Sequence, residues 1–161
     1  MKATLIKNPS SELLSKLAQH EQSVFGQAGL DEWSLGYLIR HGRVYLLEDD
    51  YEVMGLAELI RDFDKPDTAF LIGLSIKSEK QNQGLGSYFL EELIREISNS
   101  YVSKVILTVD SKNHPAVSFY KKNGFIQFDQ IKDYYGQGKD RLLFKRHLPP
   151  ACRQAGSAIG Y

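Results

Sequence analysis

The sequence predicts an α/β domain built on a mixed, mostly antiparallel sheet, and three observations carry that prediction. Residues 43–48, 53–60 and 69–76 are apolar runs of strand length, separated only by turn sequences around Asp49-Asp50-Tyr51 and Asp64-Lys65-Pro66-Asp67, as in an antiparallel meander. The third run leads into a glycine-bearing loop, Gln81-Asn82-Gln83-Gly84-Leu85-Gly86. Behind it Tyr88, Phe89, Leu90, Leu93, Ile94 and Ile97 recur at helical spacing, with Glu91, Glu92, Arg95 and Glu96 on the other side. Residues 104–109 then form another apolar strand, which a right-handed crossover sets parallel to the strand before the loop.

The remaining elements follow in order. Residues 4–6 form a short first strand, broken by Pro9 and Ser10. Leu13, Leu14, Leu17, Val24 and Phe25 predict a helix over 11–25 that ends near Gly26. Asp31 caps a second, short helix bearing Trp33, Leu35, Tyr37, Leu38 and Ile39; Phe25 and Trp33 are expected in the core. Past the parallel strand, Pro115 suits the first position of a short helix over 116–123, closed by Gly124. Residues 125–128 and 141–145 are the last strands, joined as a hairpin through residues 133–139. The domain is expected to occupy residues 1–148, and residues 149–161 read as a C-terminal tail.

Bulk properties narrow the function classes. The chain has 161 residues, enough for one domain with a sizeable core. Twenty basic residues balance twenty acidic ones, so nothing points to nucleic acid or a membrane surface. The single cysteine, Cys152, excludes an intramolecular disulfide and a cysteine-cluster metal site. His20, His41, His114 and His147 stand at no metal-ligand spacing and are expected in surface or capping roles; no metal is expected. Residues 1–5 lack the apolar block of a signal peptide, and a cytoplasmic protein is the default expectation. The oligomeric state, a homodimer included, is left open.

The glycine loop carries the chemistry. Its glycines remove side chains where a ligand could touch backbone, and the helix behind it begins with N–H groups that lack partners and carry partial positive charge. That is a phosphate site. It is not a common nucleotide loop: no Lys-Ser or Lys-Thr follows Gly86, and Gly84-Leu85-Gly86 is followed by Ser87, Tyr88 and Phe89 rather than completing GxGxxG.

The stretch resembles the acetyl-CoA loop of the GNAT superfamily of N-acetyltransferases, Arg/Gln-x-x-Gly-x-Gly/Ala, here Gln81-x-x-Gly84-x-Gly86. Residues 113–125 resemble that superfamily's Asn-x-x-Ala-x-x-x-Tyr-x-x-x-Gly-Phe signature, and Leu74-Ser75-Ile76 its strand before the loop. The resemblance spans about residues 3–148. It implies a six- to seven-stranded sheet with helices on both faces and a splayed central parallel pair. It also implies acetyl-CoA as cofactor, its pyrophosphate on the main chain of Asn82, Gln83, Gly84, Leu85, Gly86 and Ser87. Leu74, Ser75 and Ile76 would pair with the pantetheine arm, and Asn113, Phe119 and Tyr120 would flank the arm and the sulfur.

The implied reaction is amine attack on a thioester, by direct transfer in a ternary complex. Tyr120 matches the family tyrosine near the sulfur, a proton donor to the thiolate. Thr108 stands where relatives that acetylate protein N-termini often carry an acid or histidine, so the base is unassigned by the motif. Glu58 is the best replacement, with Asp110 and Glu79 behind it; a solvated or salt-bridged Glu58, or no dedicated base, are the alternatives. Residues 131–140 resemble the Tyr-Tyr-x-x-Gly-x-x-Asp hairpin of the ribosomal-protein-alanine and protein N-terminal type, where Tyr134 and Tyr135 would clasp a peptide and the first helices, with Phe25 and Trp33, would wall the groove. The acceptor expected is a peptide or protein α-amine. A small amine is the alternative, favoured if Glu21, Glu32, Glu58 and Asp62 cluster at the slot; a non-catalytic acyl-CoA-binding module comes third.

Overall fold

The computed structural model describes residues 1–149. The tail expected over 149–161, and Cys152 with it, therefore lies outside the described residues except for Pro149. Seven strands form one sheet: β1 (Lys2–Leu5), β2 (Arg43–Asp49), β3 (Glu52–Arg61), β4 (Thr68–Ile76), β5 (Lys104–Asp110), β6 (Ile126–Ile131) and β7 (Arg141–His147). Their spatial order is β1-β2-β3-β4-β5-β7-β6. Every neighbouring pair is antiparallel except β4 and β5, so the meander, the crossover and the mixed sheet are as expected. The first strand starts and ends earlier than residues 4–6, because its register on β2 runs from Lys2 opposite Glu48 to Leu5 opposite Tyr45.

Helices cover both faces. On one lie α1 (Ser11–Phe25) and α2 (Glu32–His41); on the other, α3 (Leu85–Ser98) and α4 (His114–Lys122). Local chemistry sets their starts. Ser10 Oγ accepts from the Leu13 amide at 3.1 Å, Asp31 Oδ1 from that of Ser34 at 2.8 Å, and Asn113 Oδ1 from that of Ala116 at 3.1 Å. The β2–β3 hairpin turns through Asp50 and Tyr51, both at positive φ, the conformation that matches strand twist in a two-residue turn.

Two apolar clusters result. Leu17, Leu35, Ile39, Val44, Leu46 and Leu56 fill the α1/α2 face. Phe89, Leu90, Leu93, Ile94, Leu107, Val109 and Phe144 fill the α3/α4 face. Strand alternation therefore assigns each side chain to a face: on β3, Leu56 belongs to the first layer and Ala57 and Leu59 to the second.

Phe25 and Trp33 do not enter either cluster. Trp33 is 84% exposed and Phe25 41% exposed. The core contacts of α2 are Leu35 and Ile39, and Trp33, two residues before Leu35, lies about 200° around the helix from it. Phe25 is the last residue of α1, where the chain turns away at Gly26. Among the described residues, no helix is long and apolar enough to cross a membrane.

Phe89 is fully buried, its ring edge within 3.3 Å of where a Cβ on Gly55 would stand. Phe89→Ala is expected to lower stability by about 3–5 kcal/mol, read as a lower denaturant midpoint at unchanged slope.

Candidate active site

The parallel pair is short. β4 and β5 pair only at Thr68, Ala69 and Phe70 against Lys104, Val105 and Ile106. Beyond Phe70, β4 stays with β3 as far as Ile76, and β5 stays with β7 as far as Asp110. A gap opens between residues 71–76 and 107–110. It begins at a β-bulge: Leu59 faces Leu71 but Glu58 faces Gly73, leaving Ile72 as the extra residue.

On the α3/α4 side the gap meets the glycine loop. Gly84, at φ +83°, caps α3 with no side-chain bond, so the first-turn amides of Leu85, Gly86 and Ser87 remain available to a ligand. A side chain on Gly84 would project into open space, whereas one on Gly86 would come within 3.1 Å of Phe119. Gly86 thus lets α3 close on α4, and Gly84 keeps the approach to the amides clear. Gln81 Nε2 donates to the carbonyl of Ile76 at 3.0 Å and ties the loop to the strand end. Phe119, Tyr120 and Phe125 pack edge to face, with centroids 5.1 and 5.5 Å apart.

On the α1/α2 side a buried polar group takes over from the apolar layer. Glu58 is fully buried, and neither carboxylate oxygen has a hydrogen-bond partner. Its Oε2 lies 2.5 Å from where a Cβ on Gly73 would stand, so the missing side chain at Gly73 lets the carboxylate extend over β4 towards the gap. Beside it, Ser75 Oγ donates to Glu21 Oε1 at 3.2 Å and stands 2.9 Å from His20 Nε2, while the Leu30 amide donates to Glu21 Oε2 at 3.3 Å. Burial, followed by the charge of Glu21, pushes the Glu58 carboxyl well above the usual carboxylate range. Burial also raises Glu21, against the two bonds it accepts. It lowers His20, which is neutral here.

Tyr120 packs in the opposite layer, between Phe119 and Phe125. Burial, and secondly the charge Glu58 carries when ionised, push its phenol up, so it holds its proton.

The hairpin after β6 closes the third side. Tyr134 and Tyr135 pack edge to face at 4.6 Å, the guanidinium of Arg141 lies over the Tyr135 ring at 5.2 Å, and the Tyr135 hydroxyl bonds Thr108 Oγ1 at 3.2 Å. Asp110 is paired with Arg141 at 3.2 Å and accepts from the Lys112 amide, which hold its carboxyl below the usual range and unsuited to act as a base.

The structure puts Glu58 in the α1/α2 layer and Tyr120 against the α3/α4 cluster, and it sets the loop beside Ile76 at the end of β4. Glu58 is neither solvated nor salt-bridged. Ser75 turns its side chain to the α1/α2 layer, so only its backbone can face a cofactor on the other side. Of the four acids considered for a cluster, Glu21 and Glu58 meet; Glu32 is exposed on the first turn of α2, and Asp62 caps the turn at Asp64 and Lys65. His20 is buried and hydrogen-bonded, not a surface or capping residue. Glu21 enters the sequence reading only as one acid of a possible cluster, though it sits on the stripe of Leu14, Leu17 and Ala18, and Gly73, which interrupts a strand, is the signal that reading misses.

The sequence profile of the acetyltransferase (GNAT) family matches residues 11–125, and the chain belongs to that family. An N-alpha-acetyltransferase of Sulfolobus acidocaldarius is 28% identical over 79 residues, 48% of this chain and 47% of that protein. The [ribosomal protein bS18]-alanine N-acetyltransferase of Escherichia coli is 33% identical over 69 residues, 43% of this chain and 47% of that protein. The chain spans about half the length of the curated relatives it matches. In three dimensions the crystal structure of the E. coli ribosomal-protein-S18-alanine enzyme superposes with a TM-score of 0.74 at 21% identity, covering 99% of each chain. An aminoglycoside 6'-N-acetyltransferase complexed with coenzyme A superposes with a TM-score of 0.78 at 14% identity, over 93% of this chain and 98% of that one. Both likenesses are of fold.

Because the folded Glu58 carboxyl holds its proton above the ordinary 4.5, the folded state binds more protons than the unfolded chain, and stability falls as pH rises from that value through the folded pKa. Glu58→Gln should flatten this slope and gain about 1–3 kcal/mol on the parent at pH 8 relative to pH 5, read from melting temperatures at the two pH values.

Proposed function

We propose that this chain moves the acetyl group of acetyl-CoA to a primary amine by direct attack in a ternary complex, with the α-amine of a peptide or protein as acceptor. The observation that carries this reading is the break in the β4–β5 ladder after Phe70, with the buried, unpartnered Glu58 in one helical layer and Tyr120 in the other. Amine transfer needs a proton taken on the nucleophile's side and a proton given on the leaving group's side. Family membership and the glycine loop support acetyl-CoA. The names of the curated relatives and the tyrosine hairpin support an α-amine.

The donor supplies an activated thioester. The amides of Leu85, Gly86 and Ser87 at the start of α3 bind its pyrophosphate. The main chain of residues 74–76 holds the pantetheine arm, and an amide near Ile76 steadies the developing negative charge on the thioester oxygen. The acceptor enters on the α1/α2 side, between the exposed Phe25 and Trp33 and the Tyr134–Tyr135 hairpin. Glu58, once ionised, takes the proton that the nitrogen loses as the new C–N bond forms and the C–S bond breaks. Tyr120 gives its proton to the departing sulfur. Its raised affinity for that proton keeps it a donor throughout the working pH range. Burial holds the Glu58 carboxyl above the usual carboxylate range, the direction that suits a general base.

A second reading is favoured by the meeting of Glu21 and Glu58 on the acceptor side, an acidic environment suited to a cationic small amine. Release of free thiol from acetyl-CoA across a panel of peptides, N-blocked peptides, polyamines and aminoglycosides separates the readings. Turnover confined to peptides with a free α-amine is expected; turnover with polyamines or aminoglycosides alone would establish the second reading, and no thiol release with any amine would leave a binding module.

Tyr120→Phe should lower kcat by about 10²-fold while CoA affinity, read by calorimetry, stays at the parent value; equal rates would remove the hydroxyl from the mechanism.

A further inference from the structure

Glu58 is not the only buried acid at the gap. Gly73 and Ser75 face the same layer, two residues apart on β4, a separation of about 7 Å along the strand. Glu58 stands over Gly73 and Glu21 is bonded to Ser75. Two carboxylates thus share one water-poor site, and their partners are unequal. Both oxygens of Glu21 accept hydrogen bonds, from Ser75 and from the Leu30 amide; both oxygens of Glu58 accept none. Ser75 Oγ has two acceptors in reach, Glu21 Oε1 at 3.2 Å and the Leu56 carbonyl at 3.3 Å; with its one hydrogen on Glu21, His20 Nε2 donates to Ser75 and completes the clamp.

We propose that Glu21 is a positioning residue that acts through Glu58: the two carboxylates hold one proton between them, and Glu21, clamped by Ser75 and the Leu30 amide, governs when Glu58 is free to take the proton of the acceptor amine. This rests on reading Glu58 as the base. Like charges this close do not both ionise readily in a dry site. Hydrogen bonds favour the charged form of Glu21, so the proton rests on Glu58. The other groups facing the pair do not replace this control. α1 adds His20, neutral under burial and the nearby charge of Lys77. α4 adds the phenol of Tyr120. β4 offers only Gly73 and Ser75.

The clamp also reaches the acceptor side. Leu30 lies in the segment between α1 and α2, and a Cβ on its neighbour Gly29 would fall 2.6 Å from the Glu21 carbonyl carbon. The segment beside Trp33 is therefore anchored on the residue that tunes the base.

The test is the pH dependence of kcat/KM with the best acceptor from the amine panel. Glu58→Gln should abolish the rise on the acid side. Glu21→Gln removes the like charge and should move that rise to lower pH by at least about one unit, a tenfold change at fixed pH below the midpoint, and Glu21→Asp should leave it near the parent position. In a Glu58→Gln background, Glu21→Gln should move nothing further. If Glu58→Gln keeps the acid-side rise, the base reading itself fails. If Glu58→Gln abolishes it but Glu21→Gln lowers activity equally at every pH, the base stands and the control by Glu21 is overturned. A measurement independent of these variants is carboxyl ¹³C NMR of the parent protein labelled at glutamate. Two glutamate resonances that each titrate in two coupled steps are expected, and single ordinary carboxylate titrations for both would overturn the inference.

Discussion

The arrangement depends on the β4–β5 ladder stopping after three residue pairs. Had β4 and β5 continued their parallel ladder past Phe70, their amides and carbonyls would be used up on each other and the sheet would be a closed wall between its two helical layers. The bulge at Ile72 turns β4 away instead, while β3 on one side and β7 on the other keep both strands in the sheet. The cost is a row of unused hydrogen-bonding groups, which a cofactor arm can satisfy as an added strand would. One departure from regular pairing leaves main-chain groups free on two strands in the middle of the sheet.

The second constraint is electrostatic. An unpartnered carboxylate at zero exposure is among the more expensive things a core can hold, and burial holds this carboxyl in its protonated form to higher pH than usual. Its surroundings are consistent with that state: a glycine beneath it, a second acid beside it and no cation paired with it among the described residues. The same features that lower stability raise the proton affinity of the carboxyl. Here stability and reactivity are opposed readings of one ionisation.

Much of the fold was legible in the sequence, for reasons visible in single elements. Apolar runs divided by Asp-rich turns marked the meander, and Phe89, Leu90, Leu93, Ile94 and Ile97 marked α3 by spacing alone. The glycine loop was legible because Gly84 and Gly86 stand where a strand passes into a helix. What could not be read was direction. Trp33 is apolar but faces away from Leu35 and Ile39, and helix rotation rather than hydrophobicity decides that. Glu21 and His20 lie on an apolar stripe, yet their partner Ser75 is more than fifty residues away, a pairing no local window contains. Gly73 gains meaning only from the register, which puts Glu58 across from it.

The far rim of the sheet has a consequence of another kind. All six residues of β6 are exposed, and Ile126, Phe128 and Ile131 show apolar surface there. Such a border invites lateral accretion of a neighbouring chain. Phe128 is the extra residue of a second bulge, however, and the ammonium of Lys145 lies 5.2 Å from the centre of its ring. The kink disrupts the row of amides that an incoming strand would need to match, and the cation makes desolvating the aromatic costly, so the border is blunted against growth by its own irregularity.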